Sequence, residues 1–194
     1  MSLTYGYFGM RRRLPSSALL AAALACSPGA GGDSPHADGD NAPARPAAPD
    51  WTVRRDGVGP LRYGMPVAEA RAALGDTLGD PPPTDRCVSF VPAAVPVGLR
   101  LMLENGNLVR VDVDSAGIRT TAGAEVGMSE AEIRARYPSG LEQRPHKYDT
   151  AGRYLIYRAP ADSSQRVVFE MNEQRVLRYH AGLMPAVEYV EGCG

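Results

Sequence analysis

Cysteine, histidine, lysine and tryptophan are scarce in this chain of 194 residues, and each scarcity closes off a class of chemistry. The three cysteines are Cys26, Cys87 and Cys193, with no Cys-x-x-Cys pair and no paired histidines, so zinc-ligand spacing is missing. Of the three histidines only His146 and His180 lie beyond the proline- and glycine-rich N-terminal third. No serine sits in a Gly-x-Ser-x-Gly elbow, and no glycine-rich strand-to-helix turn is present to cradle a phosphate. Lys147 is the sole lysine among 21 basic residues, which face 22 acidic ones for a net charge of −1. A balance of that kind gives no electrostatic footprint for nucleic acid. No apolar run is long enough to cross a bilayer as a helix. The expectation is therefore a protein with no catalytic residues, no metal and no cofactor.

What is present begins with an address. Arg11-Arg12-Arg13 precede an apolar stretch over 14–25 that ends in Ala23-Leu24-Ala25-Cys26. A basic segment, a short apolar core and small residues before a cut site make an export signal. The last four residues resemble the lipobox of bacterial lipoproteins, which implies that Cys26 is lipidated and becomes the mature N-terminus. The alternative is an ordinary secretory signal cut nearby, with Cys26 a plain residue. Met10 is a more natural start than Met1. Residues 1–25 thus read as signal peptide and 26–50 as a disordered tether, because 27–50 hold no aromatic or β-branched residue to bury. Residues 51–194 read as the folded domain. The expected location is the bacterial cell envelope, lipid-anchored on its periplasmic or extracellular face. If the cell has two membranes, Ser27 after the lipidated cysteine resembles an outer-membrane sorting choice.

Lipidation of Cys26 leaves Cys87 and Cys193, an even pair in an exported domain, which predicts one disulfide. Within 51–194 an internal match stands out. Gly64-Met65-Pro66-Val67-Ala68-Glu69-Ala70-Arg71-Ala72 agrees with the nine residues from Gly127 to Ala135 at six positions. Each copy opens a short helix. Ser129 and Glu132 form a capping box and Met128 can staple onto Ile133, whereas Pro66 offers no acceptor side chain. Alternating Leu99, Leu101 and Leu103 lead to Asn105-Gly106, a type I′ hairpin signal, and Val167, Phe169 and Met171 lead to a turn at Asn172-Glu173. The expected fold is α+β: two tandem helix-plus-antiparallel-sheet repeats, about 57–115 and 118–182, each sheet apolar on one face.

Gly-Met-Ser/Pro-x-x-Glu opening a short helix before an antiparallel sheet, behind a lipoprotein signal, resembles two related groups. One is the small lipoprotein of the outer-membrane barrel-assembly machine, with a single such unit. The other is the β-lactamase-inhibitor protein, with two in tandem and a concave sheet that grips its target. The resemblance covers about residues 57–181 and carries over no contact residue. It implies a protein-binding, inhibitor-like role. Residues 56–65 and 188–193 resemble segments of uncharacterised envelope proteins and imply no activity.

The candidate binding cluster is His146, Lys147 and Tyr148, with Asp149 beside them, in a loop after the second helix. Tyr154, Tyr157, Tyr179 and Tyr189 read either as a contact surface or as strand core. Asp112 and Asp114 share a strand face, as a solvated face or as a carboxylate pair. The function read from these residues is non-catalytic binding of another envelope protein, with the membrane engaged through the lipid. A carbohydrate- or peptidoglycan-binding module is the first rival. The second is an envelope hydrolase working through His146 with Asp149 or Asp112.

Overall fold

The strands carry this fold, and the two helices only cover them. A computed structural model describes residues 50–79, 86–158 and 163–194. β1 (Val53–Arg54), β2 (Gly57–Val58) and β3 (Leu61–Arg62) form a small antiparallel meander. Helix α1 (Val67–Leu74) follows, then a 3-10 turn at Gly75–Leu78. β4 (Cys87–Phe90), β5 (Leu99–Glu104) and β6 (Asn107–Val113) precede α2 (Glu130–Arg136). β7 (Leu141–Pro145), β8 (Arg153–Arg158), β9 (Gln165–Met171) and β10 (Val176–Leu183) complete the strands, and a 3-10 turn at Ala186–Glu188 begins the C-terminal tail. β4 to β10 make one seven-stranded antiparallel sheet in the order β4-β5-β6-β10-β9-β8-β7.

This corrects the expected α+β fold of two tandem repeats. The described residues are mostly β, and the segments 57–115 and 118–182 do not build separate sheets. β6 pairs with β10, Val113 opposite Tyr179, which fuses all seven strands. The meander before α1 also has no counterpart before α2, where the chain makes only isolated bridges, Thr120 to Val53 and Ser129 to Arg175. The likeness is local: Ala70 and Ile133 are buried at matching helix positions, and the backbone bonds match as well. Gly64 N–H and Met65 C=O bond Leu108, and Gly127 N–H and Met128 C=O bond Val176, at 2.6–2.9 Å. Both glycines have φ near +90°, a conformation that disfavours other residues.

One sheet face holds the main core. Leu99, Leu101, Leu103, Leu108, Val111, Val113, Phe169 and Tyr179 are buried there against Ala70 and Ile133 of the helices and Val53, Val58 and Leu61 of the meander. Asn105 and Gly106 both take positive φ, as a type I′ hairpin requires. The capping box at α2 forms: Ser129 Oγ accepts from Glu132 N–H, and Glu132 carboxylate accepts from Ser129 N–H at 2.8 Å. Ser129→Ala is expected to cost about 1 kcal/mol of unfolding free energy, measured by urea denaturation. No loss would show that tertiary packing of Ile133 alone sets this end of the helix. At α1 Pro66 makes no side-chain cap bond.

The second sheet face is where the alternation expected from the sequence breaks down. β9 buries Val168 and Glu170 as well as Phe169 and Met171. Residues 184–194 fold back across this face as a strap, and Val187 is buried on it with Tyr154, Ile156 and Val168. The Cys87–Cys193 disulfide ties the strap to β4, closing a separation of 106 residues with a Cα–Cα distance of 5.2 Å.

Candidate functional site

The strap leaves a groove on the polar face of the sheet, and strand register decides what lines it. Arg100 lies opposite Asp112, and Asp112 opposite His180. Arg178 lies opposite Glu170, and Glu170 opposite Tyr154. Side chains on one face of neighbouring strands in such positions are within reach of each other. The groove has a volume of about 860 Å³ and is walled on one side by Val190, Glu191, Gly192 and Cys193 of the strap.

Two buried charges organise the floor. Arg110, 5% exposed, donates from Nε and Nη2 to Asp112 Oδ1 at 3.0 and 2.5 Å. Its Nη1 donates to the strap carbonyls of Ala186 at 3.2 Å and Tyr189 at 2.6 Å, so one guanidinium joins sheet to strap. Glu170, 7% exposed, accepts from Arg178 Nε and Nη2 at 2.7 Å each and faces His146 Nε2 at 3.1 Å. Burial opposes ionisation of Glu170, but the bonds from Arg178 and His146 outweigh it and hold the carboxyl below its usual range. His180 lies fully inside this face. Burial, with Arg110 nearby, pushes its imidazole well below the ordinary histidine range, so it is neutral at pH 7.

The loop after β7 places the candidate binding residues on the groove rim. His146 Nδ1 accepts from the backbone N–H groups of Tyr148 at 3.1 Å and Asp149 at 2.9 Å. With Nε2 turned to Glu170, both ring nitrogens are engaged, and the ring stacks on Tyr154 with centroids 4.6 Å apart. Tyr148 is 62% exposed, and its hydroxyl donates to Glu191 of the strap. Lys147 Nζ lies 5.1 Å from the Tyr148 ring centre and 3.5 Å from Glu191.

The dyads expected for a hydrolase do not form. Asp149 meets His146 through its backbone N–H and turns its carboxylate to Ala151 N–H, while Asp112 is bonded to Arg110. The carboxylate on His146 is Glu170, which sequence reading missed together with Arg100, Arg110 and Arg178. Their signal was the polar period of two in Arg110-x-Asp112-x-Asp114 and Arg178-x-His180. Of the four tyrosines, Tyr179 and Tyr154 are buried, Tyr157 packs half-buried on the core, and Tyr189 reaches Glu104 at 3.4 Å. Cys26 lies outside the described residues, as do the signal and the tether up to residue 49. Among the described residues no group of three His, Cys, Asp or Glu is placed to hold a metal, and no helix is long and apolar enough to cross a membrane.

No protein-family model matches the chain, and no curated protein matches it. Among solved structures, an extracellular protein containing an SCP domain from Bacillus anthracis is similar over 63% of this chain and 44% of its own length, at 7% identity and a TM-score of 0.41. The uncharacterized protein yfeY from Escherichia coli is similar over 68% of this chain and 99% of its own length, at 17% identity and a TM-score of 0.34. Likeness at these scores carries no argument about what this chain does, so the groove has to be read from its own residues.

Proposed function

We propose that this chain is a lipid-anchored cell-envelope protein that binds an extended segment of another envelope protein in the strapped groove, without chemistry of its own. The observation that carries the reading is the groove itself. It is wide and open, lies over a sheet stiffened by a disulfide-tied strap, and is lined by polar groups at fixed positions. Preorganised polar groups on a rigid floor favour recognition, because little ordering remains to be done on binding. His146 does meet a carboxylate, Glu170, as the hydrolase reading asks, but its Nδ1 accepts two backbone N–H groups, so neither ring nitrogen is free to take a proton from a nucleophile. The glycan reading needs an open aromatic face. Among the described residues Tyr148 alone offers one, since His146 covers the Tyr154 ring, and a single exposed ring with Lys147 over it suits a polypeptide as well as a sugar.

The anchor rests on the lipobox-like Ala23-Leu24-Ala25-Cys26. Cys26→Ser is expected to move the protein from the membrane fraction to the soluble one. Sedimentation of that variant with membranes after a salt wash would refute the anchor. The binding reading is tested by a photo-crosslinker in place of Tyr148 in cells of the source organism. A discrete protein adduct at Tyr148 supports the reading, and no adduct there, or the same adduct from exposed Glu69 of α1 on the opposite sheet face, rejects it.

A further inference from the structure

The bonds around His146 are those of a neutral imidazole. Nε2 faces Glu170 Oε1 at 3.1 Å, so the ring proton sits there. Nδ1 keeps its lone pair and accepts from the backbone N–H groups of Tyr148 at 3.1 Å and Asp149 at 2.9 Å. An imidazolium donates from both nitrogens and accepts nothing. A second proton would therefore cancel both bonds to the loop and set one N–H against two others.

The ring is the fixed partner and the loop is the loose one. Glu170, itself bonded twice by Arg178, holds Nε2, and Tyr154 stacks on the ring face at 4.6 Å. Residues 147–151 are exposed and lie between the end of β7 and the start of β8. The charged and titratable groups around the ring come from every element packed on it: Glu170 of β9, Arg178 of β10, Tyr154 of β8, Lys147, Tyr148 and Asp149 of the loop, and Glu191 of the strap. Asp112 and Asp114 of β6 line the same groove beyond β10. Asp149 turns its carboxylate to Ala151 N–H, and Arg178 is spent on Glu170. Glu170 is thus the charge in contact with the imidazole, and it attracts an imidazolium that the closed loop cannot accommodate.

We propose that His146 is a proton-operated latch: protonation at Nδ1 releases the 147–151 loop and parts Tyr148 from Glu191, which opens this end of the groove in acid. The Tyr148 hydroxyl and Lys147 Nζ both meet Glu191, so a loop held down on Nδ1 is also joined to the strap. Tyr148 and Lys147 hold the Glu191 carboxyl below its usual range. Against burial, the bonds from Arg178 and His146 hold that of Glu170 low as well. Both carboxylates therefore keep their charge over about pH 8 to 5, the interval in which histidines as a class change theirs. The latch belongs to the loop itself and holds whatever the groove takes.

The test is amide exchange followed by NMR on the purified, isotope-labelled, disulfide-intact protein, with intrinsic exchange rates divided out. Protection of the Tyr148 and Asp149 amides is expected to fall about tenfold from about pH 7.5 to about pH 5, as both bonds are lost. Its midpoint should match that of the His146 ring-proton resonance in the same sample. His146→Asn keeps an acceptor one bond from Cγ, as Nδ1 is, and takes no proton, so both amides should stay protected at either pH. His146→Ala should leave them unprotected at both. Unchanged protection in the parent, or a midpoint apart from that of the His146 ring, overturns the latch. So does an equal acid loss in His146→Asn, which would assign the sensor to Glu191 or His180. Should His146→Asn not hold the loop even at neutral pH, the two midpoints of the parent decide. No ligand enters this experiment, so a failed latch leaves the binding reading to the Tyr148 crosslink.

Discussion

The Cys87→Ser/Cys193→Ser variant is expected to lose about 4–5 kcal/mol of unfolding free energy, because the bond closes a loop of about 100 residues and restricts the unfolded chain. The separation of 106 residues puts this bridge at the long end of the loop-entropy relation. The loss should appear as a lower urea midpoint at pH 7, with the same shift in the parent protein after full reduction. Loss of the bond should also free the strap's last residues, since Cys193 holds them to β4. Limited proteolysis with a glutamate-specific protease should then cut after Glu188 or Glu191 while the core strands stay intact. Equal midpoints with and without reductant would remove the bond's stabilising role. Mass spectrometry of the non-reduced protein should show Cys87 and Cys193 joined.

Arg110→Ala carries the second large effect, about 2–3 kcal/mol, because it leaves the half-buried Asp112 carboxylate without its charged donor and removes the side-chain link from sheet to strap. The guanidinium serves Asp112 and two strap carbonyls at once, so its removal leaves the carboxylate uncompensated and takes one of two bonds from each carbonyl, which keep the N–H groups of Tyr189 and Gly192. Arg110→Lys should recover less than half of the loss, since an ammonium cannot span all three acceptors in the geometry of the fork. Urea denaturation of the three proteins decides it. A loss below about 1 kcal/mol for Arg110→Ala would mean that water enters and satisfies these groups, and that Val187 and the disulfide alone hold the strap.

Local signals read well from the residues. Ser129 and Glu132 make their cap because both partners lie within one turn, and Asn105-Gly106 make their turn because positive φ is a property of those residue types. The disulfide followed from counting, since Cys87 and Cys193 are the two cysteines of the folded domain and have one pairing. The cluster His146, Lys147 and Tyr148 does reach the groove rim, but what it meets there was not legible. Glu170 comes from β9 and Glu191 from the strap, and neither is near it in sequence.

The two Gly-Met segments show how a true local likeness misled about the whole. Each makes the same backbone bonds to its hairpin, because glycine with positive φ and the following helix start are short-range features. Whether two hairpins stay apart or join is decided by which strand edges meet, and that depends on pairing between β6 and β10, whose partners such as Val113 and Tyr179 are far apart in sequence. Joining removes two exposed edges, a strong driving force that no window of sequence reports.

By itself, then, the sequence determined the caps, the hairpin turns, the apolar stripe on each strand and the one available cysteine pairing. Those depend on residue type and on spacing within a turn or a strand. Tertiary structure alone decided that the strands form one sheet, that the strap buries its second face, and that Arg110 and Glu170 become buried charges. Alternation says which residues share a face, but only long-range folding says whether that face meets water or the chain's own end. Here it meets the strap, and the groove beside it exists for that reason.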